Sequence, residues 1–275
     1  MPPPLTLTLL LIPPTLYALH LSHRLAPTSH LPITSSATTA FSLTTSPTIA
    51  TLVNPARHAI TTDSRSVCLS SSHLPLSPSG YHSLSDREIL TKFVRGVFGG
   101  WVFAPERWAL GWARWWGMPD ILDIRALGEG EAGKGKGKGV ELWGQGEVRA
   151  VEEWRVGMRV VGTFEVVHVK VAEEVGVGGE DGMERESYVD FVFGSDTGFL
   201  RGMHRFSVLW RWEAADGVTD GEGGGQETCE LRFSCLTCDP MREQPSMSKW
   251  LQRFHLVYAM LLFREGVAEV LAPKG

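Results

Sequence analysis

"SYVDFVFGSDTGFLRGMHRFSVLWRW", Ser187 to Trp212, is the stretch on which the fold turns. Two runs rich in β-branched and aromatic residues flank a turn segment carrying Gly194, Gly198 and Gly202. That is the pattern of two strands joined by a hairpin. Side chains of a strand alternate between faces. The first run therefore sets Val189, Phe191 and Phe193 together. The second sets His204, Phe206, Val208, Trp210 and Trp212 on one face and Arg205, Ser207, Leu209, Arg211 and Glu213 on the other. A histidine sharing a face with two tryptophans has two readings. It is a strand-end residue satisfied by the adjacent turn, or a polar group aimed into an apolar cavity.

The alternation spreads outward. "FEVVHVKV" (Phe164 to Val171) places Val167, Val169 and Val171 opposite His168 and Lys170, and short strands are expected around Leu142 and Val148. "TCELRFSCLT" (Thr228 to Thr237) places Cys229, Leu231, Phe233 and Cys235 opposite Glu230, Arg232 and Ser234. Repeated apolar-in, polar-out strands predict an antiparallel sheet that is wet on one face. The chain then changes period. "SKWLQRFHLVYAMLLFREGVAEVL" (Ser248 to Leu271) predicts roughly 36 Å of helix at about 1.5 Å per residue. Trp250, Phe254, Val257, Tyr258, Leu261 and Val267 form its apolar face. A one-faced sheet and a one-faced helix must cover each other.

Two further helices are expected ahead of the sheet. Ser85 and Glu88 have capping-box spacing, Ile89, Phe93 and Val97 follow a helical period, and Gly99 and Gly100 end the element. Pro105 opens the second helix, along which Trp108, Trp112, Trp115 and Trp116 fall to one side. Such a stripe is expected to be core; the alternative is a membrane surface, with Arg107 and Arg114 meeting phosphates.

Composition sets the organisation. The first 82 residues hold three arginines and one acid (+2), against 23 basic and 30 acidic residues in the rest (−7), which sum to −5. All ten tryptophans lie beyond Tyr81. The expectation is a leader over 1–25, a disordered Ser/Thr/Pro-rich linker over 26–80 and one α+β domain over 81–275. Leu5 to Ser22 is nearly free of charge and reads as a membrane anchor or organelle-targeting segment, interrupted by Pro13 and Pro14, or else as a leader without an address in a cytoplasmic protein.

Other classes are disfavoured. An acidic domain offers nucleic acid no basic face. Four cysteines make no disulfide framework, and the lone Cys235/Cys238 pair lacks the partners of a zinc site. The glycine–lysine run 128–139 lacks the Walker spacing and, like 216–227, reads as a solvated loop. No nucleophile elbow, dinucleotide fingerprint or His-Glu zinc helix occurs, so neither a catalytic set, a cofactor nor a metal is expected.

The whole order, a curved antiparallel sheet gripping a C-terminal helix behind a Trp-rich helical segment, resembles helix-grip domains of the lipid-transfer and plant-allergen type. A second resemblance lies in "FGSDTGFLRGMHRFSV" (Phe193–Val208), "LRFSCLTCDP" (Leu231–Pro240) and "FHLVYAMLLFREGVAEVL" (Phe254–Leu271). These segments are similar to the end of an uncharacterised plant, bacterial and fungal family known only as a domain of unknown function. The likeness runs from about Thr163 to Leu271. Here the loop is shorter than that family's and lacks its Gly-His pair, His204 lying beyond Gly202. That family implies no activity.

The function expected is non-enzymatic binding of an apolar small molecule or lipid. Phe191, Phe193, Phe206, Val208, Trp210, Trp212, Phe254 and Tyr258 would line the site, and His204 would orient the ligand's polar end. One alternative is an enzyme using His204 as acid or base, with His168 and His255 joining it only if the fold brings them near; Arg201, Arg205 and Asp196 would rim the mouth. The other is an interaction protein whose Trp-rich helices meet a membrane surface or a partner.

Overall fold

Strand pairing begins earlier in the chain than composition suggests. The computed structural model describes residues 4–70, 73–75, 84–117, 122–124, 139–172, 185–213 and 226–273. Its sheet has eight strands: β1 (Thr34–Ser36), β2 (Ile60–Ser70), β3 (Glu141–Leu142), β4 (Arg159–Val160), β5 (Phe164–Lys170), β6 (Arg185–Gly194), β7 (Arg201–Glu213) and β8 (Gln226–Cys238). The spatial order is β1-β2-β8-β7-β6-β5-β4-β3. Every neighbouring pair is antiparallel except β3 and β4, so the sheet is open and mixed rather than purely antiparallel.

The expected disordered linker over 26–80 is corrected for its described part. Ile60 through Ser70 pairs rung by rung with Cys238 through Thr228. Composition hid this strand because Ser and Thr fill its outer positions, while the inner ones, Asp63, Arg65, Val67 and Leu69, are all buried. Thr favours strands, and alternation needs only every second residue to be covered.

Among the described residues six α-helices accompany the sheet: α1 (Pro4–Leu25), α2 (Phe41–Thr44), α3 (Asp86–Phe98), α4 (Ala104–Trp115), α5 (Gln145–Arg149) and α6 (Lys249–Leu271). Ser85 caps α3 through a complete capping box with Glu88, and Ser248 caps α6 by accepting from the Leu251 amide. Helices α3 and α6 lie across one sheet face and cross closely at Gly96 and Gly266. A Cβ on Gly96 would stand 2.7 Å from the Gly266 Cα, so a larger residue there would force the helices apart. Phe93 fills the layer beneath, edge-on to Phe206 at 5.4 Å and to Phe263 at 5.7 Å. The end of α1 rests on α6, where Arg24 pairs with Glu269 at 3.7 Å and Leu21 and Leu25 touch the core. Among the described residues no helix is long and apolar enough to cross a membrane.

The other sheet face is not wet, as its alternation predicts, but partly roofed by residues 40–54. Leu43, Ile49 and Val53 pack there on Val192, Met203 and Leu236. The same roof buries Arg205, which donates two 2.7 Å bonds to Asp190 and one of 3.2 Å to the Ser42 hydroxyl. A register shift between Val166 and His168 also divides β5 differently from its simple alternation. Val166 and Val169 face α3 and α6, whereas Val167 turns to the second core. The glycine-rich segments 128–138 and 216–225 lie outside the described residues.

Candidate functional site

A cavity of about 340 Å³ lies between the sheet and the α3, α4 and α6 helices. The strands supply Phe164, Phe193, His204, Phe206 and Phe233; the helices supply Val97, Phe98, Glu106, Leu110, His255, Tyr258, Ala259 and Leu262; the β6–β7 turn closes it with Phe199 and Leu200. This size is at the lower end of small-molecule pockets.

Local sequence explains the strand side. In the β6–β7 register Phe193 stands opposite Gly202. A Cβ on Gly202 would come within 2.4 Å of the Phe193 ring, so the glycine is what lets that ring lie across the strand. Gly194 turns the chain at φ +98°, in the left-handed region that favours glycine. Phe193 then stacks on His204 at 4.5 Å, with Phe164 at 5.8 Å and Phe233 at 5.1 Å around the same imidazole. Nδ1 of His204 is buried without a hydrogen-bond partner. Burial, reinforced by the nearby His255, pushes the His204 pKa down to about 3, so the ring is neutral at ordinary pH.

Behind it runs a polar row. Asp63, Cys235 and His204 stand side by side on one rung across β2, β8 and β7, and His255 reaches down from α6. His255 Nε2 is 3.2 Å from Asp63 Oδ1; Arg65 pairs with the other carboxylate oxygen and donates to the Leu256 carbonyl at 2.9 Å. Burial alone would raise the Asp63 carboxyl, but the His255 hydrogen bond and the Arg65 charge outweigh it and hold the carboxyl below its usual range. Donor atoms of Asp63, Cys235 and His255 lie within 4.8 Å of one another. The guanidinium on Asp63 already neutralises it and would repel a cation, and burial holds the Cys235 thiol protonated. The trio is therefore an ion-pair network rather than a set poised for metal.

Across the cavity, the Tyr258 hydroxyl donates to Glu106 Oε2 at 2.8 Å, joining α6 to α4. Burial raises the Glu106 carboxyl despite that bond and, together with the neighbouring carboxylate, raises Tyr258 as well.

Of the residues expected to line a site, four do: Phe193, His204, Phe206 and Tyr258. Phe191 lies deeper, against Phe98 at 5.1 Å and Trp154 at 5.4 Å, and Val208 is likewise core, so both are corrected to packing residues. Trp210 is a tether: its indole N–H donates to Asp86 at 2.7 Å, and Asp86 also takes Ser187 and Arg185. Trp212 is the penultimate residue of β7, opposite Glu227, and its side chain lies outside the described residues. Phe254 is 57 % exposed because the helix turns His255, Tyr258 and Ala259 inward instead. His168 is exposed and distant in the sheet, beside Tyr188, whereas His255 does approach His204. Arg201, Arg205 and Asp196 do not rim the mouth: Arg205 faces the opposite sheet surface, and Arg201 pairs with Asp196 at 2.7 Å and donates to the Leu52 carbonyl.

Sequence reasoning missed Glu106 and Asp63. Asp63 carried a signal, as the one acid among the first 82 residues. Cys235 and Cys238, three apart on a strand, belong to opposite faces and separate cores, so they do not face each other. The tryptophan stripe is not core either. Trp108, Trp112, Trp115 and Trp116 are 52–77 % exposed and meet in sequence along α4 and its C-cap as tilted and edge-to-face pairs, ring centroids 5.2, 6.2 and 5.6 Å apart.

No family model, curated protein or solved structure matches this chain.

Proposed function

We propose that the protein holds an apolar small molecule or lipid between its sheet and its C-terminal helix, in the manner of a helix-grip domain. The observation that carries this reading is the aromatic-walled cavity of about 340 Å³ with few polar groups converging on it. A sheet with a long C-terminal helix across one face supports the same reading. The full chain, purified natively and extracted, should release a stoichiometric apolar compound by mass spectrometry; an empty extract from folded protein argues against it.

A second reading is favoured by the exposed aromatics of α4 and by Trp250, Phe254 and Val257 on α6. Indoles favour the headgroup level of a bilayer, and the half-exposed Arg114 on the same helix pairs with Glu141 at 3.4 Å. Here α4 delivers the protein to a membrane surface from which the cavity is filled. Co-sedimentation with liposomes tests it: Trp112→Ser with Trp115→Ser should abolish binding while leaving stability within about 0.5 kcal/mol, because both side chains are exposed. If the cavity is instead an active site, its acid–base group is His255 on Asp63, since His204 stays neutral far below physiological pH.

A further inference from the structure

The polar groups around the cavity say what kind of ligand end they accept. Among the described residues that line it there is no lysine or arginine, and the one carboxyl is Glu106. Two guanidiniums among the described residues stand close behind the wall and both are committed, Arg65 to Asp63 and the Leu256 carbonyl, Arg107 to the Phe98 and Gly100 carbonyls. His255 is likewise engaged with Asp63. A carboxylate or phosphate placed here would lose its water and meet no free cation, and an unpaired buried charge is far costlier than an unpaired neutral dipole.

What the wall does leave open is neutral. Among the described residues that line it, His204 is half-buried and its ring makes no hydrogen bond; Nδ1 is sealed within the wall, so Nε2 is the ring nitrogen left accessible. A neutral imidazole has one N–H and one lone pair. A hydroxyl, donor and acceptor at once, complements it, and aromatic rings on three sides restrict how the imidazole can turn. Glu106 keeps a second oxygen beyond the one that Tyr258 occupies, another acceptor for a hydroxyl hydrogen.

Resting on the cavity reading above, we infer that the ligand is an uncharged apolar molecule ending in a hydroxyl group, received by His204, and that the cavity rejects the corresponding acids. The protein is thus a carrier of small alcohols of the aliphatic or terpenoid kind, and fatty acids and phospholipid headgroups are excluded from its interior.

The test uses the full chain, the neutral fluorophore N-phenyl-1-naphthylamine as cavity probe, and decanol, decanoate and decylammonium as competitors at pH 7. Decanol should displace the probe at least about tenfold more effectively than either ion. His204→Phe should keep the probe, since the aromatic wall is preserved, and lose about tenfold of the decanol affinity, the worth of one hydrogen bond to a buried group. Equal or better displacement by decanoate overturns the inference, as does preference for decylammonium, which would make Glu106 the anchor. Undiminished decanol affinity in His204→Phe overturns the role of His204. Failure of the wild type to bind the probe at all refutes the cavity reading itself, a separate outcome.

Discussion

Replacing Trp210 by Phe separates packing from binding. The sequence places Trp210 on the same strand face as His204 and hence in the site; the structure places it at the other end of that face, with its N–H on the buried Asp86 carboxylate. A hydrogen bond to a charged group contributes about 1.5–3 kcal/mol, and the smaller ring removes roughly 1 kcal/mol of burial at about 25 cal/mol per Å². Ser187 and Arg185 still engage Asp86, so the lower part of that range applies. The expected loss is about 2–3 kcal/mol, or roughly 5–10 °C in Tm for a domain of this size. Urea and thermal unfolding followed by circular dichroism would measure it. N-phenyl-1-naphthylamine titration of the folded variant should match the wild type, because Trp210 does not border the cavity. A variant of unchanged stability, or one that folds normally yet no longer binds, would refute the assignment of Trp210 to the scaffold.

Other consequences are as direct. His204 titrates near 6.5 when unfolded and at about 3 when folded, so between those values the unfolded state binds the extra proton and stability must rise with pH. Its contribution is complete above pH 6.5 and reduced by about 2 kcal/mol at pH 5; His204→Phe should remove that part of the slope in urea titrations at pH 5 and 8. A chain beginning at residue 80 lacks β2 and exposes the full edge of β8, and light scattering should find it aggregated where the full chain is not. A thiol reagent should reach Cys68 in the native protein and all four cysteines in denaturant, because Cys229, Cys235 and Cys238 are buried and their thiols held protonated.

Where alternation and helical period are strong, the fold was legible. Val189, Phe191 and Phe193 face the helices together, as do Cys229, Leu231, Phe233 and Cys235. The Ser85 cap and the extent of α6 also follow from their residues. The strand β2 was not legible, because Ser and Thr belong equally to linkers and to the outer face of a strand, and only pairing with β8 decides between them. The register shift in β5 moved Val167 to the other face for a similar reason: the partner strand sets it, not the local pattern. The rotation of α6 was ambiguous because apolar residues surround it; contact with α3 at Gly266 turns His255 and Tyr258 toward the cavity and leaves Trp250 and Phe254 outside. Asp63 and Glu106 come to the site from segments remote in sequence, 192 and 152 residues from their α6 partners, a proximity that no local spacing encodes.

The measurement that bears most directly on the central claim is probe binding to a variant with the cavity filled. Ala259 is buried on α6 and borders the cavity, so Ala259→Leu extends a side chain into that space. The full chain should bind N-phenyl-1-naphthylamine saturably at one site, and Ala259→Leu, with its circular dichroism unchanged, should bind at least about tenfold more weakly. Wild-type affinity in the filled variant, or no saturable binding by the wild type, would contradict a ligand seated between the sheet and the C-terminal helix.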